Sequence, residues 1–375
     1  MIIMALDHTR DMFHITALTQ DPLNPETTTP ILFFTRWVTH FCAPVFVFLT
    51  GTSVYLQSLR KSKKELGMLL LKRGLWLILV EVVIMSFALS FDPSYSFIFL
   101  AVIWAIGISL VLLSFLLNLP FVFIFIIGMT IVLGHNLLDY YEASAGQTTN
   151  IFYMLLHRQG FVPISGTRVL GILYPFLPWT GLMLLGYCFG RWFAPGVGEN
   201  VRKKSIAMTG AGLIILFIIL RTINLYGDPS HWSTQKSSLY TFLSFLNTTK
   251  YPPSLAFMLM TIGPALLFLA YAGPVQNRLT NIISTYGKVP FFYYVIHFFL
   301  IHIVSAIFTI SRGHSFQEAY KGAEGIPFKF VFPGEGISLA GVYMVWLSVV
   351  IALYPLCKWF ARYKATHRKW WLSYI

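Results

Sequence analysis

The chain is predicted to be all-α: a polytopic integral membrane bundle of about ten transmembrane helices, the first truncated at its N-terminus. Three observations predict this. Long apolar segments recur from one end of the chain to the other, basic residues gather on every second loop between them, and 56% of residues are hydrophobic against 11% charged. A helix needs ~20 mostly apolar residues, each rising ~1.5 Å, to cross a ~30 Å hydrocarbon core. Lipid gives the backbone no hydrogen-bond partners, so each such run is expected to be helical. One domain spanning 1–375 is expected, with no soluble module.

Residues 1–13 are the shortest candidate. The apolar stretch 1–6 runs straight into Asp7, His8, Thr9, Arg10 and Asp11, and six residues cannot span. The next loop, 16–30, is acidic and free of basic residues, which places it outside and asks for a helix before it. Residues 1–13 are therefore expected to be the outer half of a helix that starts upstream; a re-entrant or interfacial N-terminus is the alternative. Segment 31–56 follows, then 66–91, which buries Glu81 among Leu77, Leu79, Val80, Val82 and Val83. Segments 96–117 and 119–134 come next, the latter extendable through His135 to Tyr141. Segment 169–193 opens on Pro175 and Pro178, which predict a broken entry. Its Gly181, Gly186 and Gly190 permit close helix contact. Segments 206–225, 254–272 (entered through Tyr251-Pro252-Pro253-Ser254), 289–310 and 337–360 complete the set.

The net charge of +13 does not indicate nucleic acid, because no basic face is carried on a soluble fold. Its distribution sets orientation. Arg60, Lys61, Lys63 and Lys64 form one basic group; Arg191, Arg202, Lys203 and Lys204 a second; Lys358, Arg362, Lys364, Arg368 and Lys369 a third. By the positive-inside rule these face the cytoplasm, the C-terminus is cytoplasmic, and loops 135–168, 226–251 and 311–335 lie outside. The expected location is the inner (cytoplasmic) membrane, with the lipid bilayer as first partner and anionic headgroups or cofactor phosphate as secondary ones. Cys42, Cys188 and Cys357 sit far apart in apolar segments and indicate no disulfide framework.

Charges at membrane depth are expensive, about 2.5 kcal/mol or more each, and so mark candidate sites. Asp7, His8, Arg10 and Asp11 are the densest group. His8 and Asp11, like Asp7 and Arg10, are three apart on a helix and able to touch. A carboxylate on one imidazole nitrogen leaves the other free as a base; a solvated helix end with ordinary ion pairs is the competing account. Arg36 and His40 lie four apart at the outer end of segment two. His135, Asn136 and Asp139 end segment five, with His157, Arg158 and Arg168 beyond. His297 and His302 sit among aromatics in segment nine, where packing histidines are the common case. No HExxH or similarly spaced pair occurs, and no metal is expected.

Several runs together resemble a known family. They are Met4-Ala5-Leu6-Asp7-His8-Thr9-Arg10-Asp11, Phe34-Thr35-Arg36-Trp37, residues 43–51, Leu71-Lys72-Arg73-Gly74, residues 174–181, Tyr251-Pro252-Pro253-Ser254 and residues 287–297. In order and topology the set resembles bacterial membrane proteins related to heparan-alpha-glucosaminide N-acetyltransferase. The resemblance implies a bundle of ten or eleven helices that binds acetyl-CoA from the cytoplasm and passes the acetyl group to a sugar or glycan acceptor outside. Related membrane acyltransferases place an arginine, ten residues and a histidine in the first helix. His8 fits the histidine, and the arginine would fall upstream of Met1. The lysosomal enzyme has its catalytic histidine in the loop after the first helix, before a Trp. His14 occupies that loop here without the His-Trp pattern, and His40 stands where the enzyme has an aspartate.

The resemblance thus implies His8 as base, with His14 and His40 as substitutes, steered by Asp7 or Asp11. Arg10, Arg36 or His297 would stabilise the oxyanion, and Lys72, Arg73 and Lys288 would hold acetyl-CoA phosphates. A homodimer is compatible with this and not required by it. A proton-coupled transporter using His8, Glu81 and His297 as relay groups is the competing class, and a lipid-organising scaffold a third.

Overall fold

The structure, a computed structural model, describes residues 1–145, 150–273, 275–367 and 369–374. Arg368 of the basic tail and Ile375 lie outside the described residues.

In chain order, α1 (Ile2–Phe13) is followed by α2 (Pro30–Thr39), which starts on a helix-compatible proline after the Thr29 cap, and α3 (Cys42–Ser58). A Ser62/Glu65 capping box starts α4 (Lys63–Val80), which continues through a π-helical stretch, Glu81–Met85, into α5 (Ser86–Ser90). Next come β1 (Phe97–Leu100), α6 (Val102–Leu116), α7 (Phe121–Gly134), α8 (Leu137–Ala145) and α9 (Ile151–Leu156). Strands β2 (Gly160–Ser165) and β3 (Arg168–Ile172) pair antiparallel, and the sheet order is β1-β3-β2. Then follow α10 (Phe176–Phe189), α11 (Glu199–Ile223), α12 (Ser238–Leu246) and α13 (Leu255–Tyr271). The chain ends with α14 (Arg278–Lys288), α15 (Pro290–Ser311), α16 (Phe316–Lys321) and α17 (Leu339–Thr366).

Each of the ten apolar segments holds helix. Among the described residues, four helices are long and apolar enough to cross a membrane: Pro30–Ser58, Glu199–Ile223, Pro290–Ser311 and Leu339–Thr366. Phe121–Gly134 and Leu137–Ser144, bent by 42°, make up to five if they form one span. The extension of segment five past His135 is thus present but angled. Two other segments fall short because strands take their N-terminal ends. β1 leaves α6 with 15 residues, and β3 with the Pro175 entry leaves α10 with 14. At ~1.5 Å per residue neither covers ~30 Å alone.

By backbone contacts the chain forms two compact units. The first comprises Met1–Cys42, Val83–Phe97 and Pro274–Ile375; the second comprises Ala43–Val82 and Ile98–Gly273. In the first unit, Ala5, Leu6 and Phe13 of α1 share a core with Tyr293 and Ile301 of α15 and Val342, Val349 and Leu353 of α17. Trp346 Nε1 donates to the Ile2 carbonyl at 2.9 Å, and Ile337 N donates to the Phe13 carbonyl at 2.7 Å. In the second unit, Gly51 and Gly186 let the backbones of α3 and α10 touch: a Cβ on either would collide with the carbonyl of Met183 or Phe48. Gly190 likewise makes room for Tyr55. Large apolar side chains that stay exposed, among them Met208, Ile215, Ile219 and Ile223 on α11 and Met344, Leu347 and Ile351 on α17, are suited to lipid. None of the three cysteines forms a disulfide among the described residues.

Candidate functional site

Helix α1 is only three turns long, yet four polar groups of its 7–11 run are held within the first unit. Asp7 is buried and receives Arg10 Nη2 at 3.1 Å. Arg36, from α2, contacts both Asp7 oxygens through Nη1. Arg10 Nη2 also reaches Asp11 Oδ1 at 2.5 Å. Asp7–Arg10 is the pair expected from their spacing. Asp11, expected beside His8, is engaged by Arg10. Two guanidiniums and two carboxylates therefore offset one another where a single buried charge would be costly.

His8 is half-buried, and its ring lies 5.4 Å from that of His297 and 4.1 Å from that of Phe298. His297 is wholly buried on α15, its Nδ1 3.0 Å from the Tyr293 carbonyl. A carbonyl can only accept, so Nδ1 carries the proton and Nε2 presents a lone pair. Nε2 is buried and has no hydrogen-bond partner among the described residues. The same holds for Arg10 Nε, a donor, and for the hydroxyl of Tyr293, whose ring stacks on His297 at 5.2 Å. Tyr293 was not singled out by sequence reasoning. Its signal was the aromatic run leading into His297, which composition alone does not separate from core.

The other sequence candidates take different places. His14 Nδ1 lies 2.9 Å from Thr16 Oγ1, and its ring lines a pocket with Met12, Thr309, Arg312 and Glu335. Burial, and after it the charge of Arg10, hold the His14 imidazole below its ordinary pKa. His40 is fully buried at the C-terminal end of α2. Lys288 is exposed in the last turn of α14. Lys72 and Arg73 belong to the second unit, on α4: Lys72 is exposed, while Arg73 Nε is buried without a hydrogen-bond partner among the described residues. An unfilled guanidinium donor beside an exposed ammonium is a donor set that fits a phosphate.

Glu81 has a structural task. Its fully buried carboxylate accepts the Trp104 amide at 2.9 Å and is bonded by the amides of Ala101 and Ile103, so it caps the start of α6. His302 is also structural, with Nδ1 3.0 Å from the Ala88 carbonyl and Nε2 2.7 Å from that of Lys329. Arg221, not anticipated, ties four carbonyls (Ser230, Ser244, Phe245 and Asn247) at 2.9–3.1 Å.

A second histidine pair lies in the second unit. His135 Nδ1 faces His157 Nε2 at 3.1 Å, and His157 Nδ1 meets Glu142 Oε1 at 2.8 Å. Asp139, one turn before Glu142 on α8, joins this group.

Comparison with curated proteins and with solved structures found no match. The family model for the catalytic region of heparan-alpha-glucosaminide N-acetyltransferase matches residues 1–226, which include Asp7 to Asp11, Arg36, Lys72 and Arg73 but not His297. That match spans more than half of the 375 residues, so this chain belongs to the heparan-alpha-glucosaminide N-acetyltransferase family.

Proposed function

We propose that this membrane acetyltransferase-family protein moves an acetyl group from cytoplasmic acetyl-CoA to a sugar or glycan acceptor on the outer side of the membrane. The observation that carries it is the contact of His8 with His297 beside the Asp7–Arg10–Arg36 ion network. His8 removes the proton from an acceptor hydroxyl or amine as that atom attacks the thioester carbonyl. The tetrahedral oxyanion then collapses, the C–S bond breaks, and His8 returns the proton to the departing CoA thiolate. Acetylation of His8 as a first step is the covalent variant of the same transfer.

Oxyanion stabilisation requires a donor. With its Nδ1 proton held by the Tyr293 carbonyl, neutral His297 offers only an acceptor at Nε2. Arg10 Nε–H, buried without a partner among the described residues, is the better donor, and Arg36 sets its neighbour Asp7. His297 is then a proton acceptor alongside His8. Lys72 and Arg73 of α4 are proposed to contact the cofactor phosphates. The transporter alternative loses support at Glu81, whose Oε2 is engaged by the Trp104 amide at the start of α6.

Ten spans, an inner-membrane location and a cytoplasmic C-terminus belong to the same proposal. A reporter fused after residue 375 is expected on the cytoplasmic side. Purified protein incubated with labelled acetyl-CoA and an amino-sugar glycan should transfer label. Absence of both donor binding and transfer would overturn the proposed reaction.

A further inference from the structure

We infer that Asp139, Glu142 and His157 form a binding site for a divalent metal ion, with Zn2+ the best match to the donor set. The ligand atoms of these three residues already lie within 4.8 Å of one another. Tetrahedral Zn2+ with bonds of ~2.0–2.1 Å needs ligand atoms ~3.3 Å apart, so side-chain rotations alone can close the site. Asp139 and Glu142 are three apart on α8 and share a face, and His157 caps the end of α9.

The hydrogen bonding leaves ligand atoms open. Asn136 Nδ2 donates to Asp139 Oδ2 at 2.6 Å, and Tyr153 and His157 both use Glu142 Oε1. Asp139 Oδ1 and Glu142 Oε2 accept nothing among the described residues. Asn136 is itself held, its Oδ1 accepting the Leu255 amide at 2.9 Å, so Asp139 is anchored from behind.

The imidazole pair supplies an independent observation. A metal-bound histidine almost always gives its other N–H to an acceptor. His157 Nε2 has such a partner in His135 Nδ1 at 3.1 Å. When metal takes His157 Nδ1, the His157 proton sits on Nε2 and that of His135 on its own Nε2, so both rings stay neutral and no proton is lost. His135 Nε2 is buried, on a residue 3% exposed, and has no partner among the described residues. Asp139 and Glu142 remain half-buried, which leaves a way in and a fourth position for water. The sequence pattern predicted no metal because the third ligand lies 15 residues after Glu142 (157 − 142) and the spacing matches no short motif.

The site does not depend on the acetyl-transfer proposal, and its test reads metal rather than activity. Tag-free, EDTA-stripped full-length protein in detergent is titrated with Zn2+ against a chromogenic chelator. One equivalent should bind, and the unfolding temperature should rise with Zn2+ but not with Mg2+. Asp139→Asn with Glu142→Gln, which keeps side-chain volume, should weaken that equivalent by at least about 100-fold, the upper range for lost ligand-sphere groups, and abolish the Zn2+-dependent rise. Should the double variant not fold, Asp139→Asn alone must show the same loss in lesser degree. Equal Zn2+ uptake by the protein and its variants, or no shift in unfolding temperature, would overturn the site.

Discussion

Two histidine pairs have nearly the same internal geometry and different surroundings. The rings of His8 and His297 are 5.4 Å apart, and those of His135 and His157 are 5.3 Å apart. Around the first, the nearby carboxylates are occupied by guanidiniums: Asp7 by Arg10 and Arg36, Asp11 by Arg10. Around the second, a carboxylate touches the ring itself, Glu142 on His157, with Asp139 alongside. Guanidiniums that hold the carboxylates take them away from the imidazole as partners or ligands. A carboxylate left to share the imidazole makes a ligand set instead. Role follows from what the neighbours have already consumed, not from the histidines.

The sharpest way to break that contrast is at His8. His8→Ala should lower acetyl transfer by about 10^2–10^4-fold, the usual share of a general base, while Zn2+ binding at Asp139, Glu142 and His157 stays as in the parent protein. Full transfer by the variant, assayed with labelled acetyl-CoA, would move the base to His14 or His40. Next in size is Asp7→Ala, which removes the carboxylate that Arg10 and Arg36 share, in a site where the Asp7 and Arg10 side chains are each 7% exposed. Loss of one partner from a buried pair costs ~3–5 kcal/mol. Denaturant unfolding in detergent should show that loss, and Asp7→Glu should recover part of it.

Arg73→Ala should weaken acetyl-CoA binding about tenfold, or ~1.4 kcal/mol, with exposed Lys288→Ala doing less. Equilibrium binding of labelled donor measures both, and unchanged affinity in Arg73→Ala would remove α4 from the donor site. The smallest effect is at His14. Burial and Arg10 depress its folded pKa, so the unfolded chain binds the proton more readily. Its contribution is therefore unfavourable at acid pH and relieved as pH rises through the ordinary histidine range near ~6.5. His14→Gln should flatten the pH dependence of the unfolding temperature over that window; an unchanged profile would show that His14 is not in the environment described.

Legibility differed by element. Segments 206–225, 289–310 and 337–360 were readable because an apolar run of that length has one way to satisfy its backbone in lipid. They appear as α11, α15 and α17. The N-terminal ends of 96–117 and 169–193, expected as helix, are strands. Phe97–Leu100 is as apolar as its helix and is a strand through its pairing with β3, distant in sequence, while Arg168–Ile172 also pairs with β2 across the short turn at Gly166. The Pro175 break and the glycine contacts of α10 were legible, since a missing amide or a missing Cβ acts locally. Glu81 was conspicuous by cost, but its acceptor role toward α6 was not, because Trp104 lies 23 residues away.

Sequence by itself determined the apolar segments, the placement of charge along the chain, the family pattern within residues 1–226 and the Asp7–Arg10 spacing. These depend on composition, helix period and the backbone's need for hydrogen bonds, all set within a turn or two of chain. Tertiary structure alone decided that Arg36 shares Asp7, that His297 meets His8 across 289 residues (297 − 8), and that His157 joins Asp139 and Glu142. Such contacts are selected by packing, where burying a charge is tolerable only if its partner arrives, and no local rule names the partner.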